Sequence, residues 1–340
     1  MKKTPVQDLI GSATSLAVGV SKRLGGEKDK LLCLMFHSIK SSTAVDRNTV
    51  LPALGLTLSN YVEIFDTFLE AGYKFVSLDQ IRLGLPSGGA YVHVTFDDGY
   101  YNNVEILPLL RNYNIPAQIF VTTNNILENK KYWWDVVFAE MSKLGKNYIE
   151  VCKRIEQLKR LSHLAVTAEL TEMYGRAAFA PKSDSDRPLS PDELLVLSRE
   201  KLITIGNHTR HHVLLDKCDA SLVMSEVTCA QEDIKEMIGY APYSFAYPNG
   251  NYDSSILSVL KQNDIEFGFS SDMRVNLLGS DISGERRLTL GRFFFISHLD
   301  IGMQCANFRL GGLSPIALFK RYHRFHGKLR AWVYPKKASS

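Results

Sequence analysis

The 340-residue chain is poor in cysteine, and none of its five cysteines is spaced as C-x-x-C. Cys33, Cys152, Cys218, Cys229 and Cys305 are scattered and odd in number. That pattern argues against a disulfide framework or a cysteine-built zinc module and predicts reduced, mostly buried thiols. Long apolar runs are also missing. Residues 31–36 form one of the longest, far short of the ~20 residues that cross a bilayer. With 45% hydrophobic and 22% charged residues, the composition is globular and excludes disorder as the main reading. Acidic side chains are absent from residues 301–340, which carry eight basic ones: Arg309, Lys320, Arg321, Arg324, Lys328, Arg330, Lys336 and Lys337. These exceed the whole net charge of +4, so the rest of the chain sums to −4. A slightly acidic body does not suit a dedicated nucleic-acid binder. The basic end suits either an anionic surface or plain solvent.

From about residue 30 to 300, strand-like and helix-like segments alternate. Residues 31–36 read as a strand buried on both faces. A helix is expected over 58–71, capped by Ser59 or Asn60 and stopped by Gly72. Strands follow at 74–78 and 91–96, a helix at 102–113 and a strand at 117–122. A helical insertion fills about 130–200, its last helix starting at Ser190 with Pro191 in the first turn. Strands at 203–205, 244–246 and 266–270 alternate with helices at 221–238 and 254–263. Repeated β-α units imply a parallel sheet, and this many favour a barrel over an open sheet.

Barrels of this kind carry their chemistry at the carboxyl ends of strands. There Thr95-Phe96-Asp97-Asp98-Gly99-Tyr100 sets two carboxylates side by side. Taken alone it is a polar turn with a glycine at positive φ, but adjacent negative charges call for a cation. Gly206-Asn207-His208-Thr209-Arg210-His211-His212 offers the partners. His208 and His212 are four positions apart, so one helical turn would bring both imidazoles to one face, a common spacing for zinc-like ions. With a carboxylate from the Asp pair, two histidines leave a coordination position open for water, as catalytic metal sites do.

These two segments resemble the first two motifs of the polysaccharide deacetylase family, the NodB-homology carbohydrate esterases. Phe245-Ala246-Tyr247-Pro248-Asn249-Gly250 resembles the third, in its Tyr-Pro-x-Gly form. The resemblance covers residues 30–300 and implies a distorted (β/α) barrel that removes acetyl groups from N-acetylated or, in some members, O-acetylated sugars. It also implies one divalent ion, zinc first, with cobalt, nickel or manganese as substitutes. By position, Asp97 resembles the catalytic base, and Asp98, His208 and His212 the metal ligands. The backbone N–H of Tyr100 resembles the oxyanion donor, and Tyr247 and Pro248 belong to the substrate-binding motif. Two pieces of the commonest pattern are missing: Leu288-Thr289-Leu290-Gly291-Arg292 ends without a histidine, and residues 244–248 contain no arginine. Met35-Phe36-His37-Ser38-Ile39 instead resembles the N-terminal histidine element of the circularly permuted subgroup, such as deacetylases of poly-N-acetylglucosamine. There the histidine is the acid, which makes His37 the candidate and His298 the reserve. Arg292 is a candidate to orient Asp97 in place of the missing arginine. His211 is expected beside the ligands or exposed.

Trp133 and Trp134 could stack on sugar rings or serve as a hydrophobic lid or core anchor. The expected activity is deacetylation of a surface polysaccharide or its precursor. The alternatives are an amidase removing another small acyl group, such as formyl, from a lipid-linked aminosugar, and a non-catalytic glycan-binding relative. The N-terminus opens Met1-Lys2-Lys3, but glycine, serine and threonine dilute the next stretch and no A-x-A site follows. Residues 1–29 are therefore expected to be an extension with a weak amphipathic helix, and the protein to stay in the cytoplasm. Beyond Pro315, apolar and basic residues interleave as in an interfacial helix. Peripheral contact of the 301–340 tail with an anionic inner membrane face is the corresponding expectation.

Overall fold

The computed structural model describes residues 28–40, 49–297 and 299–312. The expected N-terminal amphipathic helix, His298 and the interleaved segment past Pro315 lie outside them. Strand β1 (Lys30–Phe36) is followed by α1 (Leu58–Glu70), β2 (Lys74–Phe75), α2 (Leu78–Leu83) and β3 (Ala90–Phe96). A 3₁₀ turn (Tyr101–Ile106) runs into α3 (Leu107–Tyr113), then come β4 (Ala117–Val121) and α4 (Thr123–Glu128). The insertion holds α5 (Trp133–Lys143), α6 (Tyr148–Leu158), α7 (His163–Tyr174) and α8 (Pro191–Ser198). The units β5 (Ile203–Asn207), α9 (Ala220–Ile238), β6 (Ser244–Ala246), α10 (Ser254–Gln262) and β7 (Phe267–Phe269) complete the repeat. Two short strands, β8 (Asn276–Leu277) and β9 (Arg292–Phe294), precede α11 (Ile301–Arg309).

Strands β1, β3, β4, β5, β6 and β7 lie side by side in parallel, and β9 pairs with β1 in the same sense. A parallel bridge from Phe269 to Leu290, just before β9, curls the sheet back toward β1. The result is the expected distorted barrel, closed by a very short last strand. Residue parity explains its two cores. In β1, Leu32, Leu34 and Phe36 join the outer core under the helices, whereas Leu31 and Cys33 join Phe120, Phe267 and Phe269 in another cluster. In β3, Val92, Val94 and Phe96 belong to the outer core. The alternate set, Tyr91, His93 and Thr95, points the other way, and its next member is Asp97. Strand parity thus delivers the first site carboxylate to the barrel mouth.

Several local readings are corrected. Helix α1 is capped by Thr57, whose side chain and that of Asn60 form a reciprocal capping box. The strand expected at 74–78 stops at Phe75, because Ser77 caps α2. The helix expected from 102 begins as a 3₁₀ turn and becomes α-helical only at Leu107, one residue before Pro108. Ser190 and Pro191 do open α8. Residues 301–309 are no basic tail: Ile301, Cys305 and Phe308 of α11 enter the main core against α1. Burying each large apolar side chain fully contributes roughly 1.5–3 kcal/mol, so α11 is integral to the barrel. All five cysteines are free, but only Cys33 and Cys305 are fully buried.

Candidate active site

At the end of β3 the chain turns sharply. Asp98 has φ 75° and Gly99 φ 83°, a left-handed pair that a β-carbon disfavours at the first position. The turn holds because the Asp98 carbonyl accepts from the Thr122 N–H at 3.2 Å and from the Tyr132 hydroxyl. A side chain on Gly99 would meet Val121 Cγ1 at 3.0 Å. The turn separates the two carboxylates. Asp97 receives Arg292 in a two-pronged ion pair, Nη1–Oδ1 2.6 Å and Nη2–Oδ2 2.8 Å, with both side chains buried. The guanidinium is itself fixed by Ser270 O at 2.9 Å and Thr95 Oγ1 at 3.1 Å. Burial pushes the Asp97 carboxyl up, but Arg292 and, more weakly, His208 outweigh it, so it stays below the usual carboxylate range. The cation paired with Asp97 thus comes from β9.

Asp98 faces the histidines. Its Oδ1 lies 3.5 Å from His208 Nε2 and 3.4 Å from His212 Nε2. One ligand atom from each of the three falls within 4.8 Å of the others. His208 Nδ1 lies 2.7 Å from the Ala246 carbonyl. Nδ1 must donate there, so in the neutral ring Nε2 is the nitrogen left to bind a metal ion. Asp98 Oδ1 is buried and has no hydrogen-bond partner. Unpaired buried carboxylate oxygen is costly, and a divalent cation satisfies it. Burial raises the Asp98 carboxyl, but the two imidazoles reverse that and hold it well below the ordinary range. The same carboxylate draws His208 above its ordinary value despite burial, whereas for His212 burial prevails and lowers it. The residues present therefore fit a divalent ion.

The expected helical turn between His208 and His212 does not form. Residues 208–212 are a loop with Thr209 at φ 66° and His212 at φ 53°. Its shape comes from elsewhere. Asn207 Oδ1 accepts from the Thr209 N–H at 2.8 Å, and Glu226 Oε2, from α9, accepts from the N–H groups of Arg210 and His211 at 3.1 and 2.8 Å. Glu226 Oε1 lies 2.6 Å from His211 Nδ1, so His211 braces the loop beside the ligands. The rings of His208 and His212 meet at 4.8 Å between centroids, and Trp134 packs edge-on against His212 at 4.6 Å.

Sequence reasoning missed Glu226 and Asp135. Glu226 could have been flagged as a carboxylate within the apolar stripe Val223, Val227, Ala230 and Ile234. Asp135 is completely buried, accepting from the Leu51 N–H at 2.7 Å and the Tyr100 hydroxyl at 2.6 Å, while Trp134 Nε1 donates to Tyr100 Oη at 2.9 Å. Desolvation pushes its carboxyl up to about 7, against the opposing hydrogen bonds from Tyr100 and Leu51. Trp134 is thus a buried anchor and Trp133 is half-buried, and both line the cavity over the site.

A cavity of about 490 Å³ opens over these groups and is lined by His37, Asp97, Asp98, His208, His212 and Tyr247, among others. His37 is half-buried at the end of β1, its carbonyl accepting from Asn103 Nδ2 at 2.6 Å. Its imidazole acts electrostatically on both Asp97 and Asp98. Tyr247 donates its hydroxyl to Leu288 O at 2.7 Å. Pro248 opens a 3₁₀ turn behind it and does not line the cavity, whereas Asn249 and Gly250 do. The Tyr100 side chain belongs to the buried network. Its backbone bridges Pro188 through the Tyr101 N–H and the Gly99 carbonyl, directing the Tyr100 N–H away from that strand.

The polysaccharide deacetylase family model matches residues 85–268, more than half of the chain. The chain belongs to that family. The fold agrees with solved structures that bear the same family name or activity. A polysaccharide deacetylase from Bacillus cereus superposes with a TM-score of 0.57 at 15% identity, over 83% of this chain and 69% of that one. IcaB from Ammonifex degensii gives 0.54 at 18% identity, over 83% and 97%. A de-N-acetylase from Aggregatibacter actinomycetemcomitans gives 0.54 at 16% identity, over 82% and 100%. At such identities the likeness concerns the fold. No curated protein sequence matches the chain significantly. As a family member the chain is a carbohydrate-active hydrolase.

Proposed function

We propose that this family member is a metal-dependent N-deacetylase acting on an N-acetylated amino sugar of a surface polysaccharide or its precursor. One observation carries the reading. A buried Asp98 oxygen without a hydrogen-bond partner faces the Nε2 atoms of two histidines, one of them fixed in the ligand tautomer by Ala246 O.

Asp98, His208 and His212 would hold the ion. When bound, a divalent cation there acidifies a water molecule and polarises an acyl carbonyl. Asp97, kept unprotonated by Arg292, accepts the proton of the attacking water. A carboxylate held so low is a weak base, so its contribution depends on position and on an acidified partner. His37, on the same cavity wall, donates a proton to the departing amine. The Tyr100 N–H is assigned to the developing negative charge on the acyl oxygen. Placement of the whole reaction in the cytoplasm, at the inner face of the membrane, belongs to the same proposal.

The test separates ligands from base. Asp98→Ala, His208→Ala and His212→Ala should each lose bound zinc and acetate release together, because a three-ligand site cannot spare one. Asp97→Asn should keep its zinc by elemental analysis and lose at least about 100-fold in kcat. Near-normal turnover in Asp97→Asn with N-acetylated oligosaccharides would overturn the assignment.

A further inference from the structure

The cavity is an unusual place for an internal residue of a polysaccharide. Its wall away from the ligands is aliphatic: Leu51, Leu54, Ile155, Leu158, Val166 and Leu222 line it. The turn between α6 and α7 lies across it. Lys159 Nζ reaches Asn249 Oδ1 at 3.3 Å, Lys217 Nζ donates to Lys159 O at 3.0 Å, and His163 stacks on His211 at 4.6 Å. Three contacts to loops from the opposite side of the mouth carry this turn across part of the groove, which is thereby partly roofed. A sugar polymer bound by an internal unit needs an open groove with chain leaving at both ends.

Charge supplies the second observation. Lys159, Arg160 and Lys217 line the cavity, and its lining contains no carboxylates besides Asp97 and Asp98. Glu156 engages Lys159 at 3.0 Å. Among the described residues Arg160 and Lys217 have no ion pair, and both are exposed. An aliphatic wall ending in cations that lack a carboxylate partner fits an apolar chain joined to an anion. A nucleotide would call for polar groups to read the base, and these six aliphatic side chains offer none.

Resting on the deacetylase reading, we propose that the site takes a single N-acylated amino sugar carried on a phosphorylated aliphatic chain. The chain occupies the partly roofed cavity and the phosphate sits at the cationic edge formed by Arg160 and Lys217. The α6–α7 turn is then the specificity element that excludes polymers.

The probe is decyl phosphate, titrated calorimetrically below its micellar concentration into the zinc-loaded full-length protein. Inorganic phosphate, uridine monophosphate and an N-acetylglucosamine pentamer serve as comparisons. Decyl phosphate should bind at least tenfold more tightly than inorganic phosphate or uridine monophosphate, and the pentamer should not displace it. Arg160→Glu combined with Lys217→Glu should weaken decyl phosphate at least tenfold. Leu161→Asp, at a residue 43% exposed in the roof, should weaken it without altering the fold. Equal binding of decyl and inorganic phosphate would overturn the proposal, as would tighter binding of the nucleotide or displacement by the pentamer. Decyl phosphate binding that appears only after residues 313–340 are deleted would assign the cavity to the chain's own tail and overturn it too. Acetate release from the pentamer with no decyl phosphate binding would sink this inference and leave the deacetylase standing. Tight decyl phosphate binding with no deacylation of any N-acetylated sugar would do the reverse.

Discussion

Replacing Arg292 with methionine removes the cation from a buried pair while leaving most of its volume. Both partners are nearly inaccessible, and the guanidinium grips both Asp97 oxygens at 2.6 and 2.8 Å. At an effective dielectric of about 20, unit charges about 4 Å apart attract by about 4 kcal/mol. One pKa unit corresponds to about 1.4 kcal/mol, so the Asp97 carboxyl should rise by up to about 3 units. The sign follows from linkage. In the wild type, Asp97 is held low, so its contribution to stability is present above the unfolded carboxylate pKa and fades as pH falls through the folded value. In Arg292→Met the carboxylate is buried without a partner, and the native state should lose roughly 3–5 kcal/mol at neutral pH. Catalysis reports the same event independently. The acid limb of the kcat profile for acetate release should move upward by about 2–3 pH units, with zinc content unchanged. A double variant, Asp97→Asn with Arg292→Met, should regain most of the lost stability and none of the activity, since it removes the orphaned charge and the base together. An unmoved acid limb in a stably folded Arg292→Met would refute the claim that Arg292 sets the protonation of Asp97.

Three further outcomes are expected. His37→Ala should lower kcat by about 10²–10⁴ with zinc retained; full activity there would remove His37 from the proton-donor role. Asp135 has its carboxyl raised to about 7 by burial. The stability linked to it is therefore present below the unfolded value and lost as pH rises through about 7. Asp135→Asn should gain stability relative to the wild type as pH rises from about 4 to about 7, by at most about 4 kcal/mol, and hold that gain above. A constant difference in melting temperature across that range would contradict the buried, raised carboxyl. Glu226→Gln should weaken zinc binding by about 10–100-fold although it touches no ligand atom, because it shapes the loop that carries His212; unchanged zinc affinity would show that the loop holds itself.

Most of the barrel was legible because strands buried on both faces read as continuous apolar runs, and the motif residues follow those strands at once. Asp97 and His208 could be placed at the mouth for the same reason, since inward parity carries past Thr95 and Gly206. What failed was local shape controlled from a distance. The His208–His212 spacing suggested a helical turn, but the loop depends on positive φ at Thr209 and His212 and on Glu226 from the next helix. No local propensity encodes that. Asp135 escaped notice because its burial is decided by Leu51 and Tyr100, distant in sequence. Strand β9 is three residues long, too short for a periodicity. Only the family resemblance, whose third motif lacks its arginine here, pointed to Arg292.

Zinc titration into chelator-stripped protein, with acetate release from N-acetylated oligosaccharides and lipid-phosphate-linked amino sugars as the readout, tests the central claim most directly. Activity should be absent without metal and return in proportion to zinc up to one equivalent per chain, with His208→Ala silent throughout. Acetate release that persists in stripped protein, or in His208→Ala, would contradict a deacetylase built on Asp98, His208 and His212.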